Sequence, residues 1–337
     1  MKRKKFLPLL ALLLCVLLAA GGCGTAAADK SLNDSQLLSV GGRVCSRAEG
    51  MVFLISQIHI YQNSYGQDIW KVQLENGTFE EYLKSSLRDY IGNFYTVYLM
   101  AEASGLTLTD TEKAQVREAG EQFYRSLDAS DIQASGLTAE TSAEVCREYF
   151  LARKMYKAIL ADSAIVVSND EARVMHIQQI VLNKDGLSAA ELTELRSQAS
   201  DLLQKARTAD FARTAAAGSQ SAETTRTVTR SDMEDAAMEK AVFDLKDNEI
   251  SGLIETDSHI YIVKCISSYD ASLTAARKTR LLAEKQDARF RSQRQAYLDE
   301  HPAVFNENCW DKISISGYQG KAAASFYEIY AELTGDV

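Results

Sequence analysis

Residues 164–268 place the tightest constraint on the fold, because short apolar runs alternate there with segments of helical spacing. The apolar runs predict strands at Ile177–Leu182, Ile250–Glu255 and His259–Cys265. The helical segments are residues 189–207, Ala209–Ala216 and Asp235–Phe243. A polar loop at residues 218–231 has room for one further strand. We therefore predict a small sheet with helices packed on it, which is an α+β arrangement.

The preceding segment, residues 41–163, has helical spacing throughout. Thr78 and Glu81 have the spacing of a capping box, as do Thr109 and Glu112, so a helix is expected to begin after each pair. A further helix is predicted at residues 142–160. We expect the many Tyr and Phe residues of these helices to form the core of a helix bundle. A groove left open between the helices would instead bind unfolded chains.

The part that follows residue 268 is predicted to be one long charged helix and a short strand. The helix covers residues 271–300 and ends before Pro302, the sole proline after Pro8. Trp310, Ile313 and Ile315 are predicted to form a closing strand.

The N-terminus has the pattern of an export signal. A cationic stretch, Lys2–Lys5, precedes an apolar run at Phe6–Ala20, which is short for a membrane span. Small residues then lead to Cys23, and this pattern resembles a bacterial lipobox, in which the cysteine is lipidated. Acyl chains would then anchor the protein to the membrane. The alternative is an ordinary signal peptide cleaved near Ala28.

Charge and ligand spacing argue against two classes of partner. Removal of residues 1–22 deletes four cations and no acids, which changes the net charge from −9 to −13. A chain this acidic has no general field for nucleic acid, and we expect no nucleic-acid partner. The four histidines are scattered and no cysteines form a CxxC pair, so we assign no metal.

Two blocks of the sequence carry a family resemblance. Val174–Leu182, Val-Met-His-Ile-Gln-Gln-Ile-Val-Leu, and the stretch Met238–Lys264 resemble the parvulin (PpiC-type) family of peptidyl-prolyl isomerases. The resemblance implies a β-α-α-β-α-β-β domain, with which the predicted periodicities agree. It also implies an isomerase that needs no cofactor.

The layout of the whole chain is similar to that of surface-anchored foldases and periplasmic chaperones, in which a parvulin module is inserted into a helical domain. The implied fold is α+β, with a mainly helical N-terminal domain completed by the C-terminal helix. The implied partners are unfolded or partly folded exported polypeptides. The predicted divisions are a signal peptide at 1–22, a tether at 23–40, a helical chaperone-like domain at 41–163, a parvulin-like domain at 164–268, a returning helix and strand at 269–316 and a tail at 317–337.

Isomerisation of an X-Pro bond must cross a barrier of about 18–20 kcal/mol without a nucleophile. Parvulin-type sites use two facing histidines, a nearby Cys or Asp, and a socket of Met and Phe that holds the proline ring. The resemblance places His176 at the first histidine. Met233 falls at the socket methionine, and Met238 falls at the socket phenylalanine.

Two further positions depart from the family. Tyr261 replaces the second histidine, and the Cys/Asp position falls on Ser219 or Ser221, of which we assign Ser221 to the site. A tyrosine still donates a hydrogen bond, so an isomerase of weak activity is the first hypothesis. The alternative is a chaperone or holdase with a degenerate, non-catalytic parvulin domain. A solute-binding receptor would need many more alternating strands and helices than residues 41–160 provide.

Overall fold

The computed structural model describes residues 32–162, 164–318, 320 and 325–336. The predicted signal peptide and the lipidation site Cys23 lie outside this part of the chain. The described residues form two compact units. Unit 1 comprises those of Met1–Asp162 and Asp287–Val337, and unit 2 those of Ser163–Gln286. The fold is α+β, as predicted, because long helices accompany small sheets.

Unit 1 is mainly helical. Its helices are α1 (Arg47–Tyr65), α2 (Phe79–Ala103), α3 (Asp110–Ser126), α4 (Ala129–Ser135) and α5 (Ala139–Leu160), with a 3₁₀ turn at Gln67–Lys71. Thr78 and Thr109 each cap a helix through a complete capping box, which confirms both predictions. The short helix α4 was not predicted. A two-stranded hairpin, β3 (Gln73–Leu74) and β4 (Gly77–Thr78), precedes α2.

A three-stranded antiparallel sheet in unit 1 corrects the predicted tether. The strands are β1 (Gln36–Val40), β2 (Arg43–Ser46) and β9 (Ala303–Phe305), in the order β2-β1-β9. A tether that extends to residue 40 is therefore wrong over β1, because Leu37, Leu38 and Val40 are buried in the core. The strand was missed because the residues that precede it are small and polar, and the whole segment was assigned to the tether.

The C-terminal residues of the chain also differ from the prediction. The long helix α9, Ala271–Glu300, has its predicted bounds. The predicted closing strand at Trp310, Ile313 and Ile315 is wrong: Trp310 lies in the short helix α10 (Glu307–Asp311), and the strand is β9. All three side chains are buried. The sequence therefore identified them correctly as core residues but did not reveal the backbone conformation of the segment.

The predicted tail contains a helix, α11 (Phe326–Thr334), that packs into the core of unit 1. Asp336, which follows it, accepts hydrogen bonds from Arg153 Nε at 3.1 Å and from the Tyr330 hydroxyl at 2.9 Å. The end of the described chain is therefore held by both apolar packing and a partly buried ion pair.

Unit 2 has the predicted order of elements. They are β5 (Val174–Asn183), α6 (Ala189–Thr208), α7 (Phe211–Gly218), β6 (Thr225–Thr229), α8 (Ala236–Phe243), β7 (Ile254–Glu255) and β8 (His259–Ser267). The four strands form an antiparallel sheet in the order β6-β5-β8-β7. A 3₁₀ turn at Arg230–Asp232 links β6 to α8. Among described residues, no helix in either unit is long and apolar enough to cross a membrane.

Candidate active site

The sheet of unit 2 has two buried faces, which alternate along each strand because successive side chains point to opposite sides. On β5, Ile180 and Leu182 pack with α6 and α7. Met175, Ile177 and Val181 belong to a second cluster on the other side, which includes residues of α8. We call the second side the α8 face. It determines which of the predicted site residues can act together.

Tyr261, the predicted replacement for a catalytic histidine, lies on the α8 face. It stands opposite Val181 in the register of β5 and β8 and belongs to the same apolar cluster. Its hydroxyl donates a hydrogen bond to Glu234 Oε1. Burial, followed by this hydrogen bond, raises the pKa of the Tyr261 phenol, so the hydroxyl remains a donor at physiological pH.

Glu234 joins this part of the face through two hydrogen-bond donors and a close contact with His259, and sequence reasoning missed it. Besides Tyr261, its carboxylate accepts from Thr256 Oγ1 at 2.6 Å and lies 2.7 Å from His259 Nδ1. Partial burial raises the pKa of this carboxyl, but the hydrogen bonds from Thr256 and Tyr261 and the nearby His259 outweigh it and leave the pKa below its usual value. A fixed anion therefore lies beside Tyr261.

The two predicted socket methionines are both associated with the α8 face. Met238, in α8, is only 1% exposed and packs within the apolar cluster. Met233 is half-buried and packs against the same cluster. Phe243 is buried there too, with the guanidinium groups of Arg173 and Arg230 over its ring. Met233 is therefore the more accessible of the two apolar groups for a proline ring.

His176 does not face Tyr261, which corrects its expected placement. It pairs with Thr227 of β6 and has the opposite side-chain direction to Met175 and Ile177. Its Nε2 lies 2.8 Å from Asp270 Oδ2 and its Nδ1 lies 3.0 Å from Thr227 Oγ1. A backbone hydrogen bond from Leu273, then the contact with His176, lower the pKa of Asp270. Because a carboxylate only accepts, His176 donates through Nε2 and accepts from Thr227.

Gln179 is a buried polar residue of β5 on the α8 face. It pairs with Val263 and is a diagonal neighbour of Tyr261 on that face. The side chain is only 3% exposed, and Nε2 donates to the backbone oxygen of Glu223 at 2.9 Å. Oε1 has no hydrogen-bond partner among the described residues. Side chains alternate in direction along a strand, so residues 179 and 181 share a face. The sequence alone could therefore have indicated that Gln179 lies on the same face as Val181.

The two candidate serines organise a loop instead of converging on Tyr261. Ser219 Oγ accepts from the backbone N–H of Val181 at 3.1 Å and of Ser221 at 3.2 Å. Ser221 Oγ accepts from the backbone N–H of Glu223 at 3.2 Å. These bonds attach the loop to β5 on the side away from β8. Strand β5 therefore lies between Ser219 and Tyr261.

Within the described part of the chain, no group of three or more His, Cys, Asp or Glu side chains is arranged to hold a metal ion. The four described cysteines, Cys45, Cys146, Cys265 and Cys309, are free and buried. The α8 face carries the Tyr261 phenol, the Glu234 carboxylate and the Gln179 amide as hydrogen-bonding groups.

Comparison with a family model identifies the domain. Residues 168–278 match the model of the PPIC-type PPIASE domain. The chain contains a parvulin-type domain. This confirms the family resemblance and the assignment of unit 2 to that fold.

Solved structures of PrsA proteins are similar to the chain at low identity. A foldase protein PrsA from Streptococcus pneumoniae is 19% identical, with 78% of this chain and 98% of that chain covered and a TM-score of 0.31. A foldase protein PrsA from Lactococcus lactis is 17% identical, with 88% and 98% covered and a TM-score of 0.31. PrsA from Bacillus subtilis is 14% identical, with 70% and 93% covered and a TM-score of 0.25. No curated protein sequence matches the chain. The domain assignment depends on the family model alone.

Proposed function

We propose that the protein is an extracytoplasmic foldase that assists exported polypeptides and that its parvulin-type domain is a weak peptidyl-prolyl isomerase. The observation that carries this proposal is the α8 face of a PPIC-type domain, on which Tyr261, Gln179 and the half-buried Met233 lie together. Met233 contributes apolar surface for a proline ring. Tyr261 and Gln179 take the places that two facing histidines would have.

Hydrogen bonding explains why the activity is expected to be weak. An isomerase must favour the twisted amide over both planar forms, which requires groups that strengthen their contacts in the transition state. The Tyr261 hydroxyl already donates its hydrogen bond to Glu234, and Met238 is buried in the core. No Cys or Asp fills the position of Ser219 and Ser221. The domain therefore retains a peptide-facing surface with few free catalytic groups.

The isomerase proposal predicts different effects for residues on the two sheet faces. Gln179→Met and Tyr261→Phe are expected to lower the catalysed rate on a short X-Pro peptide about tenfold, because each removes a polar group from the α8 face. His176→Ala is the matched control on the opposite face and is expected to retain the rate. The measurement is the proline-isomerisation rate of the full chain minus the uncatalysed rate. A rate that falls only in His176→Ala would contradict the assignment.

A non-catalytic holdase is the alternative, and a second observation favours it. Four exposed apolar side chains occur together at one part of unit 1: Tyr65, Val72, Leu74 and Tyr82. Tyr65 and Tyr82 are connected through the rings of Tyr61 and Phe79, at centroid distances of 6.4, 4.9 and 6.1 Å. A contiguous apolar patch of this kind marks an interaction surface, and unfolded polypeptides offer the complementary apolar segments. Background isomerisation rates for the wild type would favour this alternative.

Membrane attachment through Cys23 is part of the same proposal, and the lipobox-like sequence supports it. Cys23→Ala is expected to move the protein from the membrane fraction to the soluble exported fraction, because a lipidated cysteine is the anchor. Cell fractionation and immunoblotting measure this distribution. Cys45→Ala is the control, since Cys45 is buried in β2 and is expected to leave the distribution unchanged. Retention of Cys23→Ala in the membrane would rule out this anchor.

A further inference from the structure

The charge on the α8 face suggests which peptides the domain prefers, an inference that rests on the proposed peptide-binding function. The Glu234 carboxylate is fixed on its protein side by Tyr261, Thr256 and His259, while the side chain remains about one-third exposed, at 33%. A carboxylate has about four lone-pair positions, so one direction remains for a further donor. The position open to solvent is thus an anionic acceptor that needs no rearrangement to bind a cation.

A second acceptor on the same face has no donor. Gln179 Nε2 is committed to the Glu223 carbonyl, which fixes the amide orientation and makes Oε1 an acceptor. This oxygen is buried without a hydrogen-bond partner in the part of the chain that the structure describes. A buried unsatisfied acceptor costs about 1–3 kcal/mol, so a ligand N–H that reaches it gains binding energy. Gln179 is therefore an acceptor without a donor on the same face as Glu234.

The basic residues on this face do not cancel the preference. Arg226 pairs with Ile177 and so points to the α8 face, where its guanidinium lies 3.7 Å from Glu223. Asp232 also carries a negative charge close to Arg226, because the hydrogen bonds from Thr229 outweigh partial burial and lower its pKa. Arg173 and Arg230, which lie over Phe243 on the same face, are each paired with Asp170. Among the described residues, no salt bridge joins Glu234 to an arginine, so its charge stays available to a ligand.

We propose that the site prefers X-Pro segments in which lysine or arginine directly precedes proline, and that Glu234 determines this preference. Tyr261 stands where the prolyl bond is expected to bind, and Glu234 is one hydrogen bond away from it. A cationic side chain next to the proline can therefore reach the open side of the carboxylate. A glutamate at that position would meet like charge instead.

Binding of three blocked tetrapeptides to the full chain tests this preference, with lysine, alanine or glutamate directly before proline. Dissociation constants at low salt are the readout. The lysine peptide is expected to bind about threefold to tenfold more tightly than the glutamate peptide, in the range of a partly exposed ion pair. Glu234→Gln is expected to abolish this ratio. Asp257→Asn, an exposed charge in the β7–β8 turn, is the matched control and is expected to retain the ratio.

Salt and isomerisation rates separate the remaining outcomes. The wild-type ratio should approach one in 0.5 M salt, which gives a second measurement if Glu234→Gln fails to fold. Equal dissociation constants for the three peptides, no binding of any of them, or an unchanged ratio in folded Glu234→Gln would overturn the inference. Lysine preference without isomerisation above background would retain the inference and reject the isomerase proposal. Isomerisation of all three peptides above background, with equal dissociation constants, would support the isomerase proposal and reject the inference.

Discussion

Phe326→Ala is expected to lower the free energy of unfolding of unit 1 by about 3–5 kcal/mol, the usual cost of removing a buried phenylalanine ring. Phe326 is 0% exposed, and its ring centroid lies 5.5 Å from that of Phe53, 5.4 Å from Tyr149 and 5.9 Å from Phe123. The substitution leaves a cavity among aromatic rings that belong to three other helices. Relaxation around such a cavity is incomplete in a close-packed core.

Urea denaturation of the full chain measures this loss. Glu332→Ala is the matched control: Glu332 lies in the same helix, α11, but is exposed, so its replacement is expected to change stability by less than about 0.5 kcal/mol. A Phe326→Ala protein with the wild-type urea midpoint would show that α11 contributes nothing to the core of unit 1.

The same helix illustrates what the sequence could not reveal. Phe326, Ile329 and Tyr330 have helical spacing, but the pattern covers less than three turns and does not show which surface it packs against. The capping boxes at Thr78 and Thr109, in contrast, determine helix starts through local hydrogen bonds, and both predictions held. Local chemistry was therefore predictable in unit 1, whereas the partner of a short apolar segment was not.

In the candidate site, too, the sequence predicted which elements the residues occupy but not the direction in which their side chains point. Tyr261 was placed correctly on a strand, and the β-α-α-β-α-β-β order was predicted from periodicity and resemblance. His176 was assigned to the site from its motif, yet a shift of one residue along a strand reverses the direction of the side chain. The side chain of Gln179 points to the α8 face, because side chains alternate along the strand and Gln179 lies two residues from Val181. Glu234 comes from the connection before α8, where no periodicity indicates the direction of a side chain.

The second large effect concerns a buried carboxyl group in α5. Glu148 is 4% exposed, and its Oε2 has no hydrogen-bond partner among the described residues. Burial, followed by the nearby charge of Glu49, raises the pKa of Glu148 to about 8. The group is therefore protonated in the folded protein at pH 6 but ionised in the unfolded chain.

This difference makes unit 1 less stable as pH rises. Between the unfolded pKa, about 4.3, and the folded pKa, the unfolded state binds fewer protons, so the free energy of unfolding falls by up to about 1.4 kcal/mol per pH unit. The loss from Glu148 is complete above pH 8 and amounts to roughly 5 kcal/mol. Below the unfolded pKa both states are protonated and the group contributes no pH dependence.

Glu148→Gln removes this titration and is expected to be more stable than the wild type at pH 8.5, with a difference that shrinks steadily towards pH 5. Urea denaturation of both proteins at pH 5, 6.5 and 8.5 measures the difference in slope. Glu332→Gln, which neutralises an exposed carboxyl group in α11 of the same unit, is the control and is expected to retain the wild-type decline. Parallel pH profiles for the wild type and Glu148→Gln would mean that the carboxyl group of Glu148 does not titrate with a raised pKa in the folded state.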